Sequence, residues 1–427
     1  MGKLYLRCIW LDAACMDSYA RNYFHSPILY GYNRAQYSYH TEVIMTSEER
    51  REVRYLRRRN KRRRNLDSRN AACENVFSFS NLYKAYRDCC LGVGWKSSVQ
   101  LYKANALYNV LQTQEELLTG SYRSKGFVEF NIFERGKLRH IKSVHISERV
   151  VQRCLCDNAL IPIISPSFIY DNGASLKDKG IDFTLDRLEK HLHRYYRKHG
   201  SKGYVLTFDF SKFFDNANHE VIFRELEKVK GSAFNYAKYF VDRFGKTGLG
   251  LGSQVSQILA LALPNSLDHM IKELLKIKYY GRYMDDGYLI HESKDYLRQC
   301  LSTIQNKCLT LGIALNPKKT HICKLKEGVS FLKMRFMLTD SGRVIRKLSR
   351  ESITRMRRKL KSFAKKLQSG AMTTEDVVLS YNSWRGHAQR CDSFRTLKNM
   401  DRLLKEIICT KSKKTENTYP TKMLFAM

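Results

Sequence analysis

The sequence predicts an α/β protein in which short apolar strands carry acidic side chains and longer helices pack around them. Three observations predict it. Tyr204-Val205-Leu206-Thr207-Phe208 is a β-rich apolar run that ends on a carboxylate, Asp209. Residues 278–282 and 287–290 are strand-like runs flanking a polar tip, Tyr283-Met284-Asp285-Asp286-Gly287, the pattern of a β-hairpin. Residues 183–199, 258–275 and 294–311 carry helical patterns between and beyond these strands.

Composition narrows the class of partner. With 427 residues the chain can hold two or three domains, and 43% hydrophobic with 12% aromatic content argues for a folded core. Its 76 Lys and Arg against 41 Asp and Glu give a net charge of +35, which favours a polyanion, nucleic acid first. No apolar run reaches the ~18 residues of a spanning helix, and residues 1–16 do not read as a signal peptide, so a cytoplasmic protein with no membrane partner is expected. The 12 cysteines are scattered, the closest pairs being Cys89/Cys90 and Cys154/Cys156. None has zinc-ligand spacing, and reduced thiols are expected.

Taken in order, residues 1–46 are aromatic-rich without a period. A helix-like cationic segment follows, with Tyr55 and Leu56 set among Arg57, Arg58, Arg59, Lys61, Arg62, Arg63 and Arg64. Guanidinium groups both pair with phosphate and stack, so RNA or DNA binding is the sharper reading; a solvated basic face or a localisation tract is the plainer one. Residues 77–100 and 101–119 read as helices whose Trp95, Lys96 and Tyr102 suit a nucleic-acid-facing layer. Strands 126–132 and 139–144 are joined by Glu134-Arg135-Gly136-Lys137, where Lys137, Arg139 and Lys142 can close over a phosphate or simply face solvent. A helix over 148–161 should end at Pro162 and Pro166, a turn spans Tyr170 to Ser175, and Asp215 should cap a helix over 216–228.

The glycine-rich stretch 245–252 leads into Ser253-Gln254-Val255-Ser256-Gln257. It lacks the lysine-serine ending of a phosphate loop, so nucleotide hydrolysis is not supported. Its glycines suit close backbone approach to a flat ligand such as a templating base pair, or a plain linker. After the turn Asn316-Pro317-Lys318-Lys319 comes an apolar hairpin strand over 329–337. Beyond Leu348 the pattern is helical and basic, with Arg355, Arg357, Arg358, Lys359 and Lys361, and the tail past Thr410 should be mobile.

Adjacent acids carry the chemistry. Like charges side by side are costly unless a cation neutralises them, and Mg²⁺, which shares one or two carboxylates with substrate phosphates, answers that need. An isolated Asp-Asp-Gly is more often a solvated turn. What argues against that here is Asp209, because an acid at the end of a core strand needs a partner and is the natural third carboxylate.

At this point the chain resembles a prokaryotic reverse transcriptase of the defence-associated or diversity-generating type. Phe208-Asp209-Phe210-Ser211-Lys212-Phe213-Phe214-Asp215 is similar to the first palm carboxylate motif and Tyr283-Met284-Asp285-Asp286 to the second. Residues 311–320 resemble the following motif with its lysine, Lys319. Val329-Ser330-Phe331-Leu332-Lys333 resembles the hairpin that grips the primer end, and Arg139, Ile141 and Glu148-Arg149-Val150-Val151-Gln152 the finger motifs that hold a triphosphate.

The resemblance implies an α/β right-hand polymerase: an N-terminal basic, mainly helical extension over 1–119, fingers over 120–200, palm over 201–340, a helical thumb over 341–410 and a tail over 411–427. It implies two Mg²⁺ ions, Mn²⁺ being a substitute, held by Asp209, Phe210 and Asp285, with Asp286 tuning them and Lys319 giving a proton to the leaving group. Lys137, Arg139, Phe214, Leu251, Gly252, Gln257 and Tyr283 would meet the nucleotide, and Arg57 to Arg64, Lys96, Arg358 and Lys361 the nucleic acid. Phe214 would collide with a ribose 2′-hydroxyl, favouring dNTPs and a DNA product. Leu251 stands where retroviral and intron-encoded relatives carry glutamine, which implies lower fidelity. A structured non-coding RNA copied in antiphage defence, with an accessory protein a possible further partner, is the first expectation. A mutagenic diversity-generating polymerase and a non-catalytic RNA-binding maturase or chaperone are the alternatives.

Overall fold

The computed structural model describes residues 56–58, 73–134, 137–227, 229 and 231–412. Residues 1–61 and 62–427 are separate compact units. Of the first, Leu56, Arg57 and Arg58 are described, in a helical turn with both arginines exposed. Arg59, Lys61, Arg62, Arg63 and Arg64 of the expected cationic tract lie outside the described residues.

The second unit is built on a four-stranded antiparallel sheet of order β4-β5-β3-β6. Here β3 is Tyr204–Asp209, β4 Tyr279–Tyr283, β5 Asp286–His291 and β6 His321–Lys324. In β3 Val205, Leu206 and Phe208 are buried, because helices cover both faces. Each such side chain contributes about 1.5–3 kcal/mol relative to exposure. Register places Asp209 opposite Asp286, and Tyr283 opposite Asp286 across the hairpin.

Before the sheet come α1 (Phe79–Cys90), α2 (Ser97–Ala104) and α3 (Ala106–Leu118), then a two-stranded ribbon of β1 (Phe127–Glu134) and β2 (Lys137–Val144). Next are α4 (Ile146–Leu155) and α5 (Ile181–His199). Between β3 and β4 lie α6 (His219–Leu226), α7 (Ser232–Asp242), α8 (Gln254–Ala262) and α9 (Asn265–His269). After β5, α10 (Lys294–Thr310) leads to β6 and to a three-stranded sheet of β7 (Val329–Phe331), β8 (Met334–Leu338) and β9 (Val344–Leu348). The helices α11 (Arg350–Gln368), α12 (Thr374–Ala388) and α13 (Phe394–Ser412) close the described chain around their own apolar cluster.

Several boundaries differ from the sequence expectations, each for a local reason. Residues 77–119 form three helices, because 91–96 turn through Gly92 at φ +73° and Asn105 interrupts the second run. Pro162 does not end its helix: a π-helical turn, Cys156–Leu160, precedes Ile161–Ile164, and proline at a first-turn position lacks only an N–H that would go unused. Asp215 is not the cap of the next helix; Asn218 is, its side chain accepting from the Glu220 and Val221 amides. The run 258–275 breaks at Pro264, and 329–337 is two strands joined through Leu332 and Lys333, both at positive φ. Among the described residues no helix is long and apolar enough to cross a membrane, and the described cysteines are free thiols.

Candidate active site

Asp209 ends β3 and is buried, and the chain continues under the hairpin tip: the Phe210 amide donates to the Asp285 carbonyl at 3.2 Å. Alternation along a strand would send Asp285 and Asp286 to opposite faces. The turn solves this, because Met284 takes a left-handed conformation at φ +51° and swings the tip over. Such a backbone costs of order 1–3 kcal/mol and persists only where surroundings fix it.

Electrostatics show that the three acids meet. Burial, then the charge of Asp209, raises the Asp285 pKa. Asp286 is pushed up to about 7, by burial first and then by Asp285 and Asp209. The Lys319 ammonium sits 2.5 Å from Asp209 Oδ2, and Asn316 Nδ2 donates to Oδ1 at 3.3 Å. Burial alone would lower the Lys319 pKa, but the hydrogen bond and charge of Asp209 hold it above its usual range. The segment carrying Lys319 is fastened there by the Asn316 amide, which donates to the Asp209 carbonyl at 2.7 Å.

This donor set fits a hard divalent cation. Its ligands are carboxylate oxygens, their repulsion leaves them short of positive charge, and Lys319 stands in as counter-ion on Asp209. Among the described residues no three His, Cys, Asp or Glu side chains are placed so that they could hold one metal ion. Phe210 could contribute only its carbonyl, since its ring is buried in the core.

Other expected site residues fall nearby in different ways. Phe214 is half-buried, and its carbonyl accepts from the Leu249 amide at 2.6 Å, which ties the loop after β3 to the glycine stretch. Leu251 and Tyr283 are half-buried, Gly252 is exposed at φ +108°, and Gln257 is exposed on α8. Lys137 and Arg139 lie on β2 opposite Glu134 and Ile132. Lys96 is exposed with its ammonium 5.5 Å from the Trp95 ring centre, and Arg358 and Lys361 are exposed on α11. Of the expected set, hydrogen bonds and charges join Asp209, Asp285, Asp286 and Lys319.

Within the stretch that resembles a finger motif, Glu148 and Gln152 are buried. Glu148 pairs with Arg243 at 2.9 Å, while Gln152 Oε1 accepts from Ser253 Oγ and the Gln254 amide. Their work is to hold the start of α8.

Three supports escaped the sequence reading. Arg282 and Asp268 form a bidentate ion pair with no exposed surface, and Arg282 Nη1 donates to the Met284 carbonyl at 2.8 Å. Beside them Asp171 binds Arg187 at 2.6 Å and Lys272 at 3.0 Å. His191, pushed down to about 4 mainly by burial, accepts from Arg187 and meets the Tyr288 hydroxyl of β5 at 3.0 Å. An arginine inside an otherwise apolar strand was the available signal, since a buried charge needs a partner.

Residues 125–336 match the family described as reverse transcriptase (RNA-dependent DNA polymerase). The chain carries a reverse transcriptase domain. Members of that family are RNA-directed DNA polymerases that use divalent metal ions, and the fold around Asp209 and the hairpin is the α/β palm of a right-hand polymerase. Among solved structures, telomerase from Candida albicans in complex with the TWJ fragment of telomeric RNA is similar at 13% identity and a TM-score of 0.43, over 67% of this chain and 55% of that one. Apo telomerase from Candida tropicalis, truncated from its C-terminal domain, is similar at 12% identity and a TM-score of 0.42, over 56% of this chain and 60% of that one. The chain therefore spans 55% of the length of the first and 60% of the second. No curated protein matches it.

Proposed function

We propose that this reverse transcriptase copies an RNA template into DNA by two-metal nucleotidyl transfer, with Asp209 and Asp285 holding two Mg²⁺ ions and Asp286 tuning them. The observation that carries the reading is that Asp209, distant along the chain, lies opposite Asp286 beside Asp285, with Lys319 paired to Asp209 as counter-ion. When bound, the metals supply the positive charge that makes the primer 3′-hydroxyl acidic and shields the leaving pyrophosphate. Asp209 is held for that task by β3 and by the Asn316 contacts. Lys319, released from Asp209, delivers a proton to the leaving oxygen. Lys137 and Arg139 on β2 take the triphosphate, with Gly252 and Gln257 against the nucleotide. Phe214 blocks a ribose 2′-hydroxyl, so that dNTPs are the substrates.

Leu251-Gly252-Ser253-Gln254-Val255-Ser256-Gln257 supports a finer reading: a dedicated structured RNA template, copied at low fidelity, in bacterial antiphage defence. The test is dNTP incorporation on a primed RNA with Mg²⁺. Wild type should extend the primer, and Asp285→Ala with Asp286→Ala should fall by about a thousandfold, roughly 4 kcal/mol of barrier. Equal rates in both proteins, or none in wild type, would refute the reading.

A further inference from the structure

Arg282 is enclosed on every side. Its backbone amide donates to the Asp171 carbonyl at 3.1 Å, its carbonyl accepts from the Gly173 amide at 3.0 Å, and across the hairpin it faces Gly287. Its guanidinium reaches Asp268 through Nε at 2.8 Å and Nη2 at 2.7 Å, and the Tyr280 hydroxyl donates to the same carboxylate at 2.6 Å. Nη2 also donates to the Leu261 carbonyl at 3.1 Å. The remaining nitrogen, Nη1, is spent on the Met284 carbonyl at 2.8 Å.

A buried ion pair is a weak source of stability, because desolvating both ions offsets their attraction and an apolar pair of similar volume often does as well. What an apolar pair cannot do is donate to Met284. That residue is the left-handed one, immediately before Asp285, whose conformation aims the carboxylates. The guanidinium fork has the geometry to hold Asp268 and Met284 at once, whereas a single ammonium does not.

We propose that Arg282 is a positioning residue for Asp285, fixing the Met284 carbonyl from an anchor on Asp268. The Leu261 contact, near the C-terminal end of α8, fastens that helix to the same side chain. The inference rests on the polymerase reading of the site. A hairpin tip freed by about 1 Å loses on the order of a hundredfold in turnover.

The experiment uses the full chain, poly(rA) primed with oligo(dT), dTTP and Mg²⁺, with thermal melting alongside. The paired variant R282M/D268L removes both charges together. It should melt within about 4 °C of wild type, with kcat lowered about tenfold to a hundredfold and the KM for primer-template unchanged. R282K, which keeps the charge but loses the fork, should show the same split. A folded R282M/D268L with wild-type kcat overturns the proposal and leaves the polymerase reading standing. Should that variant fail to fold, wild-type kcat in R282K overturns it, and a lowered kcat at unchanged KM supports it. A wild type without incorporation refutes the polymerase reading, and this role with it.

Discussion

Asp286 is pushed up to about 7 because it is half-buried and lies beside Asp285 and Asp209. A carboxyl whose folded pKa lies above its unfolded value near 3.8 stabilises the fold at low pH, and that contribution is lost as pH rises through about 7. In EDTA, therefore, Asp286→Asn should melt progressively higher than wild type as pH is raised from about 5 to 8, levelling off above 7. A melting difference that stays flat across that range would show that the acids do not repel one another. At Phe214 the expectation is steric. Phe214→Val should relax discrimination against rNTPs by about 10–100-fold, measured as the ratio of kcat/KM for dNTP and rNTP. At this scale the carboxylates were legible in the sequence because an acid at the end of an apolar strand is conspicuous. Arg282 lies in a comparable setting, yet its partner Asp268 is on a helix whose pairing with β4 no local pattern announces.

Elements were legible where period and punctuation agreed, as in β3, α5 and α10, and less so where a second constraint intervened. The strand β6 was missed because His321–Lys324 is short and lacks an apolar alternation; its pairing with β3 is a tertiary fact. The helix α7 was missed although Ala233, Ala237, Phe240 and Val241 form a buried stripe at helical spacing; its Tyr236 meets Phe77, and its Tyr239 and Phe240 meet Tyr122. The glycine stretch 245–252 was read from its composition. It was expected to admit a flat ligand, and the structure adds that Gly252 sits at φ +108°, where a Cβ would meet only the Lys142 carbonyl at an ordinary 3.5 Å. The cost of Gly252→Ala is thus conformational, about 1–3 kcal/mol, and not a clash. Thermal melting should register that loss, and steady-state kinetics should show a raised KM for dNTP, since the turn would relax away from the nucleotide. An unchanged melting temperature would mean that the left-handed turn is not required.

Across the whole chain the +35 charge is the property most plainly written in the sequence, and the structure distributes part of it along one helix. On α11 the buried stripe Met356, Leu360, Phe363 and Leu367 faces the helical cluster, which leaves Arg358 and Lys361 exposed on its other sides. Exposed charges of one sign add little to stability, where an isolated ion pair is worth about 0–1 kcal/mol. Their consequence is for binding. Each phosphate neutralised releases counterions, so the logarithm of affinity falls with the logarithm of salt by about 0.7–0.9 per contact. Substituting Arg358→Gln and Lys361→Gln should therefore weaken binding of a primed RNA uniformly across sequences and make the salt slope shallower by about 1.4–1.8. Melting temperature should stay at the wild-type value. Fluorescence anisotropy at several KCl concentrations measures the slope directly. A variant that bound more weakly with an unaltered slope would mean that these side chains act through the shape of α11, and a variant with unaltered binding would place the nucleic acid elsewhere on the cationic surface.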